Sequence, residues 1–275
     1  MAVGIGMSEE NPFSCIAGEG GERSEPDEGE ARKRHRASQA GHPSPSPFGG
    51  PSLSRSAGEG FSPWLPTLLT WLSPSYPVGG FSYSHGLEWA VESGAVHDRH
   101  TLEDYVATLL EAGAGWVDLV LLAEAWRSAD APDAVIELAA AWRGTAETAL
   151  EATQQGAAFV TTTRAAWPGT ALDDIEALPA YPVAVGLACA ATVPLDAALL
   201  AYAHALAANF VSAGIRLIPL GQTDGQRTLA ALAPRIAIVA ERAATAALDE
   251  IGTAAFGIDL CSIRHETQYT RLFRS

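Results

Sequence analysis

The sequence predicts an all-α fold: one compact, helical bundle-like domain of about eight to ten helices. Apolar residues recur at three- and four-residue spacing through most of the chain, as on a helix face. No stretch shows the sustained period-two alternation of a strand, and prolines and glycines interrupt the pattern where helices end. We expect a disordered extension over 1–60, the helical domain over 61–261 and a tail over 262–275.

The first helices can be placed from their apolar stripes and caps. "WLPTLLTWL" sets five apolar side chains on one predicted face, namely Trp64, Leu65, Leu68, Leu69 and Leu72. Thr101 followed by Asp104 resembles a capping box, which predicts that a long helix begins there. Pro132 fits the first turn of the next helix.

The later helices are bounded by prolines. "ETALEATQQGAAFVTTTRAAW" predicts a helix that Pro168 and Gly169 end. Pro194 opens a further helix, and Pro234 is expected to introduce a final long one that continues to about Leu248.

The span Ala197–Ile215 carries no formal charge and has nearly the length of a membrane-crossing helix. Alanine dominates it, and it contains His204, Asn209 and Ser212. Because small residues let helices approach closely, a buried helix of a bundle is the favoured interpretation, and no membrane contact is expected.

Residues 1–60 differ from the rest in composition. They are rich in Gly, Ser, Pro, Glu and Arg, with "GEGGERSEPDEGEARKRHR" followed by "HPSPSPFGGPSLSRSAGEG". Such a segment buries too little apolar area to offset its chain entropy, so we expect it to be disordered.

Charge excludes several classes of function. The formal net charge of the 275 residues is −15, which argues against nucleic acid and against anionic membrane surfaces. The single lysine, Lys33, lies in the N-terminal segment, so a P-loop lysine or Schiff-base chemistry is excluded from 61–275. Three scattered cysteines do not form a disulfide framework, which favours a reducing compartment such as the cytoplasm.

The stretch "SPSYPVGGFSYSHGLEWAVESG" is neither a plain loop nor a plain helix. Pro74 and Pro77 discourage helix continuation, while Gly79 and Gly80 allow conformations that a side chain would block. Ser82 or Ser84 can cap the next helix. The pattern predicts a rigid elbow that presents a polar and aromatic set suited to an interface: Tyr76, Phe81, Tyr83, Ser84, His85 and Glu88. The alternative is that Tyr76 and Phe81 fill the core between two helices.

Enzyme and metal hypotheses rest on weaker patterns. Gly80–Ser84 lacks the second glycine of a nucleophile elbow, and His85 with Glu88 is an H-x-x-E pair that a helical enzyme would use as acid and base. His97 and His100 are weak candidates for a nickel or zinc site of a storage protein.

Two motifs resemble one known family. "SPSYPVGGFSYSHGLEWAVESGAV", followed by "LEDYVATLL" and the aspartate of "WVDLVLLAEAWR", is similar to the UreF family of urease accessory proteins. The ending "SIRHETQYTRLFRS" is similar to that family's terminus, so the resemblance covers about 62–275.

The resemblance implies an all-α, dimeric assembly factor without catalysis or a cofactor of its own. Such a protein joins UreD, also called UreH, and the GTPase UreG, meets apo-urease and helps to install nickel, which is cargo. Its implied roles include recruiting the GTPase, regulating GTP hydrolysis and providing part of a nickel passage.

The tail, residues 262–275, carries three arginines although 61–275 has 11 basic against 23 acidic residues. We expect it to order on binding a partner, with UreD/UreH as the implied recipient. Leu272 and Phe273 would be apolar anchors, and the other predicted interface residues are Arg264, His265, Tyr269, Arg271, Arg274 and Ser275. The alternative is that the tail folds back onto its own acidic surface.

Overall fold

The computed structural model describes residues 62–275, which form ten α-helices and no strand. The all-α prediction is confirmed for this part of the chain, whereas the expected disorder of 1–60 lies outside the described residues. The helices are α1 Trp64–Trp71, α2 Leu87–Glu92, α3 Arg99–Ala112, α4 Ala114–Arg127, α5 Asp133–Ala141, α6 Ala146–Ala166, α7 Tyr181–Cys189, α8 Leu195–Leu217, α9 Gln222–Thr245 and α10 Phe256–His265. Short 3₁₀ turns occupy Gly80–Ser82, Ala171–Asp174 and Leu248–Glu250.

The core lies around α4 and α7, which pack against each other. Ten of the fourteen residues of α4 and eight of the nine residues of α7 are buried. Helix α8 packs along α9 and buries one face, including Phe210 and Tyr202. The uncharged span within α8 is therefore a helix of the bundle with one solvent-facing side.

Two segments have the length and composition to cross a membrane, namely Arg99–Arg127 and Leu195–Leu217. The first comprises α3 and α4 and is interrupted at Gly113, and 78% of its apolar window is buried inside the protein. Half of the second window is buried in the same way. Core helices of globular domains meet the same criteria, so this evidence for a membrane span is weak.

The structure corrects the expected start of α3. Asp98 is the N-cap, because its carboxylate accepts the backbone N–H of Thr101 at 2.9 Å, while the Thr101 hydroxyl receives the Asp98 N–H at 3.0 Å. Thr101 is thus the third residue of the helix rather than its cap. The capping box pairs Asp98 with Thr101, and Asp104 is not part of it.

Pro234 does not begin a helix, as the sequence suggested, but lies within α9. Proline removes one backbone N–H and crowds the preceding turn. Pro234 and the residue four positions before it, Ala230, are both exposed. The carbonyl left without its helical partner therefore lies on a face that water reaches, which lets the helix continue.

Helix α1 buries a narrower stripe than its sequence predicts. Leu68 and Trp71 are in the core, whereas Leu65 and Leu69 are exposed. Helix α10 then crosses the start of α2 and brings the tail to the elbow.

Candidate functional site formed by the elbow and the tail

The elbow, defined here as residues 73–88, turns sharply twice. Gly79 has a left-handed backbone with φ of 74° and leads into the 3₁₀ turn Gly80–Ser82. His85 and Gly86 are also left-handed, with φ of 50° and 78°, and α2 begins directly after them. The Tyr105 hydroxyl donates to the His85 carbonyl at 2.8 Å and holds the second turn from α3.

Gly86 is where α10 contacts the elbow. A Cβ at this position would lie 2.4 Å from the Ser262 backbone nitrogen, well inside contact distance. Only glycine permits both the positive φ and this approach. The glycine of the first motif thus makes room for the helix that precedes the tail.

Glu88 holds the tail by its main chain. One carboxylate oxygen accepts the Leu272 N–H at 2.7 Å, and the other accepts the Phe273 N–H at 2.9 Å. The carboxylate is buried, and hydrogen bonds to a charged acceptor are stronger than neutral ones. Glu88 therefore fixes the position of two residues that are 184 and 185 positions later in the chain.

His265 lies between two carboxylates and has no solvent exposure. Its Nδ1 is 2.7 Å from a Glu147 oxygen and its Nε2 is 3.2 Å from a Glu88 oxygen. A neutral imidazole has one N–H and can donate to only one of these carboxylates, whereas an imidazolium donates to both. The second Glu147 oxygen accepts from Arg271 at 2.9 Å, so Glu147 binds α10 and the tail together.

Ser275 is enclosed at the opposite edge of the site. Its carbonyl accepts the Ser84 N–H at 2.7 Å and also the Ser84 hydroxyl. Its own hydroxyl donates to Glu151 at 2.9 Å, and the same Glu151 oxygen lies 2.8 Å from His85 Nε2. Burial alone would lower the pKa of His85, but the Glu151 carboxylate outweighs this effect and the net pKa is raised.

Phe273 is buried between these polar contacts. The Arg216 guanidinium of α8 lies over its ring, with 4.4 Å from Cζ to the ring centroid. The tail therefore has one apolar anchor, and its pocket belongs to its own chain.

Comparison with known proteins matches this chain to one family. The family model described as UreF matches residues 96–233. "Urease accessory protein UreF" of Rhodopseudomonas palustris strain BisB5 is 54% identical over 218 residues, covering 76% of this chain and 90% of the relative. The protein of the same description from Granulibacter bethesdensis is also 54% identical, covering 76% of this chain and 92% of the relative. That of Bradyrhizobium sp. strain BTAi1 is 51% identical over 235 residues, covering 82% and 98%.

This chain belongs to the UreF family of urease accessory proteins. The family that the sequence motifs suggested is thereby confirmed. The relatives are described as urease accessory proteins, so the expectation that the chain is not an enzyme is also confirmed.

The structure brings the two UreF motifs together, but it distributes their side chains unequally. Tyr76 and Tyr83 are buried. The Tyr76 hydroxyl is hydrogen-bonded to the Thr163 hydroxyl at 2.9 Å, and the Tyr83 hydroxyl donates to Gln154 at 2.6 Å. Tyr76 thus fills the core, as the alternative hypothesis had it. Phe81 is the exposed aromatic of the elbow, with 67% of its surface accessible.

The tail is folded back onto its own chain, which corrects the expectation that it becomes ordered on binding a partner. The N–H groups of Leu272 and Phe273 donate to α2, and the side chains of Arg271 and Arg274 donate to α6, as the fold-back alternative proposed. Phe273 and Ser275 are buried, whereas Tyr269 and Leu272 are exposed. Arg264 is exposed, and Arg274 donates to Gln154 at 3.2 Å. Residue 262, where we expected the tail to begin, lies inside α10.

The acid–base hypothesis for His85 and Glu88 is wrong. Because His85 precedes α2 in a left-handed turn, the three-residue spacing does not place the two side chains on one helical face. His85 binds Glu151, and Glu88 binds the tail and His265. Neither group is left free beside a substrate-sized opening.

The metal candidates do not converge. His97 lies 3.9 Å from Asp98 and 3.1 Å from the Gly94 carbonyl, while His100 is beside Arg99 in the first turn of α3. Across residues 62–275, no group of three or more His, Cys, Asp and Glu side chains is arranged to hold a metal ion.

Sequence analysis missed the α6 half of the site. Glu147 and Glu151 are four residues apart and both buried, and Gln154 and Gln155 continue the same helical face. Polar residues at this spacing usually form a solvent-facing stripe, so their sequence gave no reason to expect a site. The contacts of Glu147 with His265 and Arg271, and of Glu151 with His85, show that this face of α6 is buried.

Proposed function

We propose that this chain is a non-enzymatic assembly factor for nickel insertion into apo-urease that bridges UreD/UreH and the GTPase UreG and regulates GTP hydrolysis. We further propose that it works as a homodimer in the cytoplasm and that nickel is cargo rather than a resident cofactor. The observation that carries the proposal is the joining of the two UreF motifs into one site, which has a rigid interior and an exposed outer surface.

The outer surface has the composition of a protein interface. The Ser82 carbonyl accepts the Arg274 N–H at 2.8 Å, so the elbow and the tail are in direct contact next to the exposed Phe81 and Leu272. Exposed apolar side chains beside arginines are typical of an interface centre and its rim. The buried ion pairs beneath hold both segments in place without an ordering cost at binding.

The test is copurification of the tagged full chain with UreD/UreH, UreG and urease subunits from cells that make all of them. Phe81→Ser combined with Leu272→Ser should lose at least one accessory partner and lower urease activation. The melting temperature should be retained, because both side chains are exposed. Leu178→Ser is a matched control, since Leu178 is similarly exposed in the loop before α7.

Retention of every partner and of full urease activation by the double variant would contradict the interface. Measuring GTP hydrolysis by UreG with and without the wild-type chain tests the regulatory part separately. Removal of residues 1–61 should leave copurification and activation intact, because the similarity to the Rhodopseudomonas palustris relative covers 76% of this chain, close to the share that 62–275 represents.

A further inference from the structure

A cavity of about 170 Å³ lies between the elbow and α8, beside the tail site. Aromatic rings of Tyr76, Phe81, Tyr181 and Tyr202 line it, together with Leu72, Val78 and aliphatic residues of α8. Its volume is well below the roughly 300–1,000 Å³ of small-molecule sites, so it suits one side chain rather than a larger ligand.

Two amide oxygens in the lining of this cavity accept no hydrogen bond within residues 62–275. Gln155 donates its Nε2 to Glu151 at 2.8 Å, which leaves Oε1 without a donor among the described residues. Asn209 donates its Nδ2 to the Gly80 carbonyl at 3.0 Å, and its Oδ1 is likewise without a donor in 62–275. Both amide orientations are fixed by these bonds, so both residues present oxygen rather than nitrogen as the unused group.

The charges around the cavity favour a cation. Glu151 is the only charged residue among those that line it, and no Arg, Lys or His belongs to that set. Its oxygens already receive Gln155, His85 and Ser275, so Glu151 offers no direct bond to a ligand and shares its charge with His85. Residues 61–275 contain 23 acidic against 11 basic residues, which attracts basic partners over a longer range.

We propose that this cavity receives an arginine side chain of a protein partner. The proposal rests on the proposed assembly function and adds the chemistry by which a partner is recognised. A guanidinium is planar, stacks on aromatic rings and presents five N–H donors, which match the ring faces and the two free amide oxygens. A purely apolar side chain would leave both oxygens without donors. A metal ion would find one carboxylate and no histidine or cysteine in the lining.

The first experiment uses the full chain without partners and N-acetyl-arginine amide as the probe, observed by saturation-transfer NMR. N-acetyl-citrulline amide, which has nearly the same shape without the charge, is the comparison. We expect saturable binding of the arginine probe and at least tenfold weaker binding of the citrulline probe. Equal binding of the two, or no saturable binding of arginine, would overturn the inference.

Two variants locate the binding. Ala208→Trp fills the cavity from α8 and should abolish arginine binding, whereas Leu200→Trp on the same helix should not, because Leu200 is exposed and outside the lining. Phe81→Ala removes one exposed ring and should weaken binding about two- to fivefold, as expected for one exposed cation–π contact. Unchanged arginine binding by Ala208→Trp and Phe81→Ala, each with a wild-type circular dichroism spectrum, would place the probe elsewhere and overturn the assignment.

Copurification separates this inference from the function on which it rests. If Ala208→Trp loses one accessory partner and Leu200→Trp keeps it, the cavity is part of that interface. If Ala208→Trp binds no arginine and yet keeps every partner, the arginine contact is refuted while the assembly function stands. If the wild-type chain binds the probe but copurifies with no urease protein, the proposed assembly function is refuted, and the arginine cannot then be assigned to a urease accessory protein.

Discussion

Glu88→Gln is the sharpest test of how the tail is held. The substitution preserves the size of the side chain but removes its charge and replaces one acceptor oxygen by an N–H₂ group. Leu272 and Phe273 donate to different oxygens of Glu88, at 2.7 and 2.9 Å. Glutamine can accept only one of these bonds, and its nitrogen would face the second donor.

The expected cost follows from these two bonds. Hydrogen bonds to charged groups contribute about 1.5–3 kcal/mol and neutral ones about 0.5–1.5 kcal/mol, while a buried N–H without an acceptor costs about 1–3 kcal/mol. One bond becomes neutral and the other is lost, so tail docking should weaken by about 2–4 kcal/mol. At about 1.4 kcal/mol for each factor of ten, the tail should open roughly 30- to 1,000-fold more often.

Amide hydrogen exchange measured by mass spectrometry on peptides covering 266–275 reports this opening directly. Exchange should accelerate there and stay unchanged in peptides from α4 and α7, which form the core. Glu137→Gln is the matched control, because Glu137 is exposed on α5 and has no hydrogen bond or ion pair within residues 62–275. If Glu88→Gln protects the tail as well as the wild type does, the carboxylate is not what holds it, and the argument from these contacts fails.

Three further outcomes are expected. Deleting Leu272–Ser275 should lower the melting temperature, because burial of Phe273 alone stabilises the fold by about 1.5–3 kcal/mol, and it should weaken the complex with UreD/UreH. An unchanged melting temperature would contradict the folded-back tail. Gly86→Val should lower the temperature of thermal unfolding far more than Gly79→Val, because of these two positions only Gly86 has neighbouring backbone atoms where a Cβ would lie. Equal effects would mean that strain at positive φ is the whole cause. The interaction that raises the pKa of His85 contributes stability that is fully present below the ordinary histidine pKa of about 6.5 and is lost as pH rises through the pKa of the folded state. The free energy of urea unfolding should therefore depend less on pH in Glu151→Gln than in the wild type, and an identical pH dependence would exclude this pair as the cause.

The helices were predictable because their causes are local. The sequence predicted α6 and α8, and it predicted one long helix near Thr101 that the structure divides at Gly113 into α3 and α4. The exceptions have local physical reasons too. Pro234 lies inside α9, where the carbonyl that loses its helical hydrogen bond is on the exposed face. Asp98 is the N-cap of α3, and Thr101, which the sequence suggested as the cap, is the second member of the capping box.

The orientation of individual side chains was less predictable. Tyr76 and Phe81 belong to the same elbow and have similar sequence surroundings, yet one is buried against Phe159 and the other is exposed. Between them lies Gly79, whose left-handed backbone leads into the 3₁₀ turn that contains Phe81. A glycine pair in a sequence permits such a turn but does not say on which side of it the core lies.

The contacts that make the site are the part that local reasoning could not supply. Ser84 and Ser275 are 191 residues apart. Each of the two histidines also binds a carboxylate of α6, a helix that neither motif contains. A buried carboxylate without partners is costly, so Glu147 and Glu151 require the histidines and the tail as much as the tail requires them. This mutual dependence gives the two distant UreF motifs one physical explanation. Each motif supplies groups that would be destabilising in the interior without the other, and α6 is the element through which both are held.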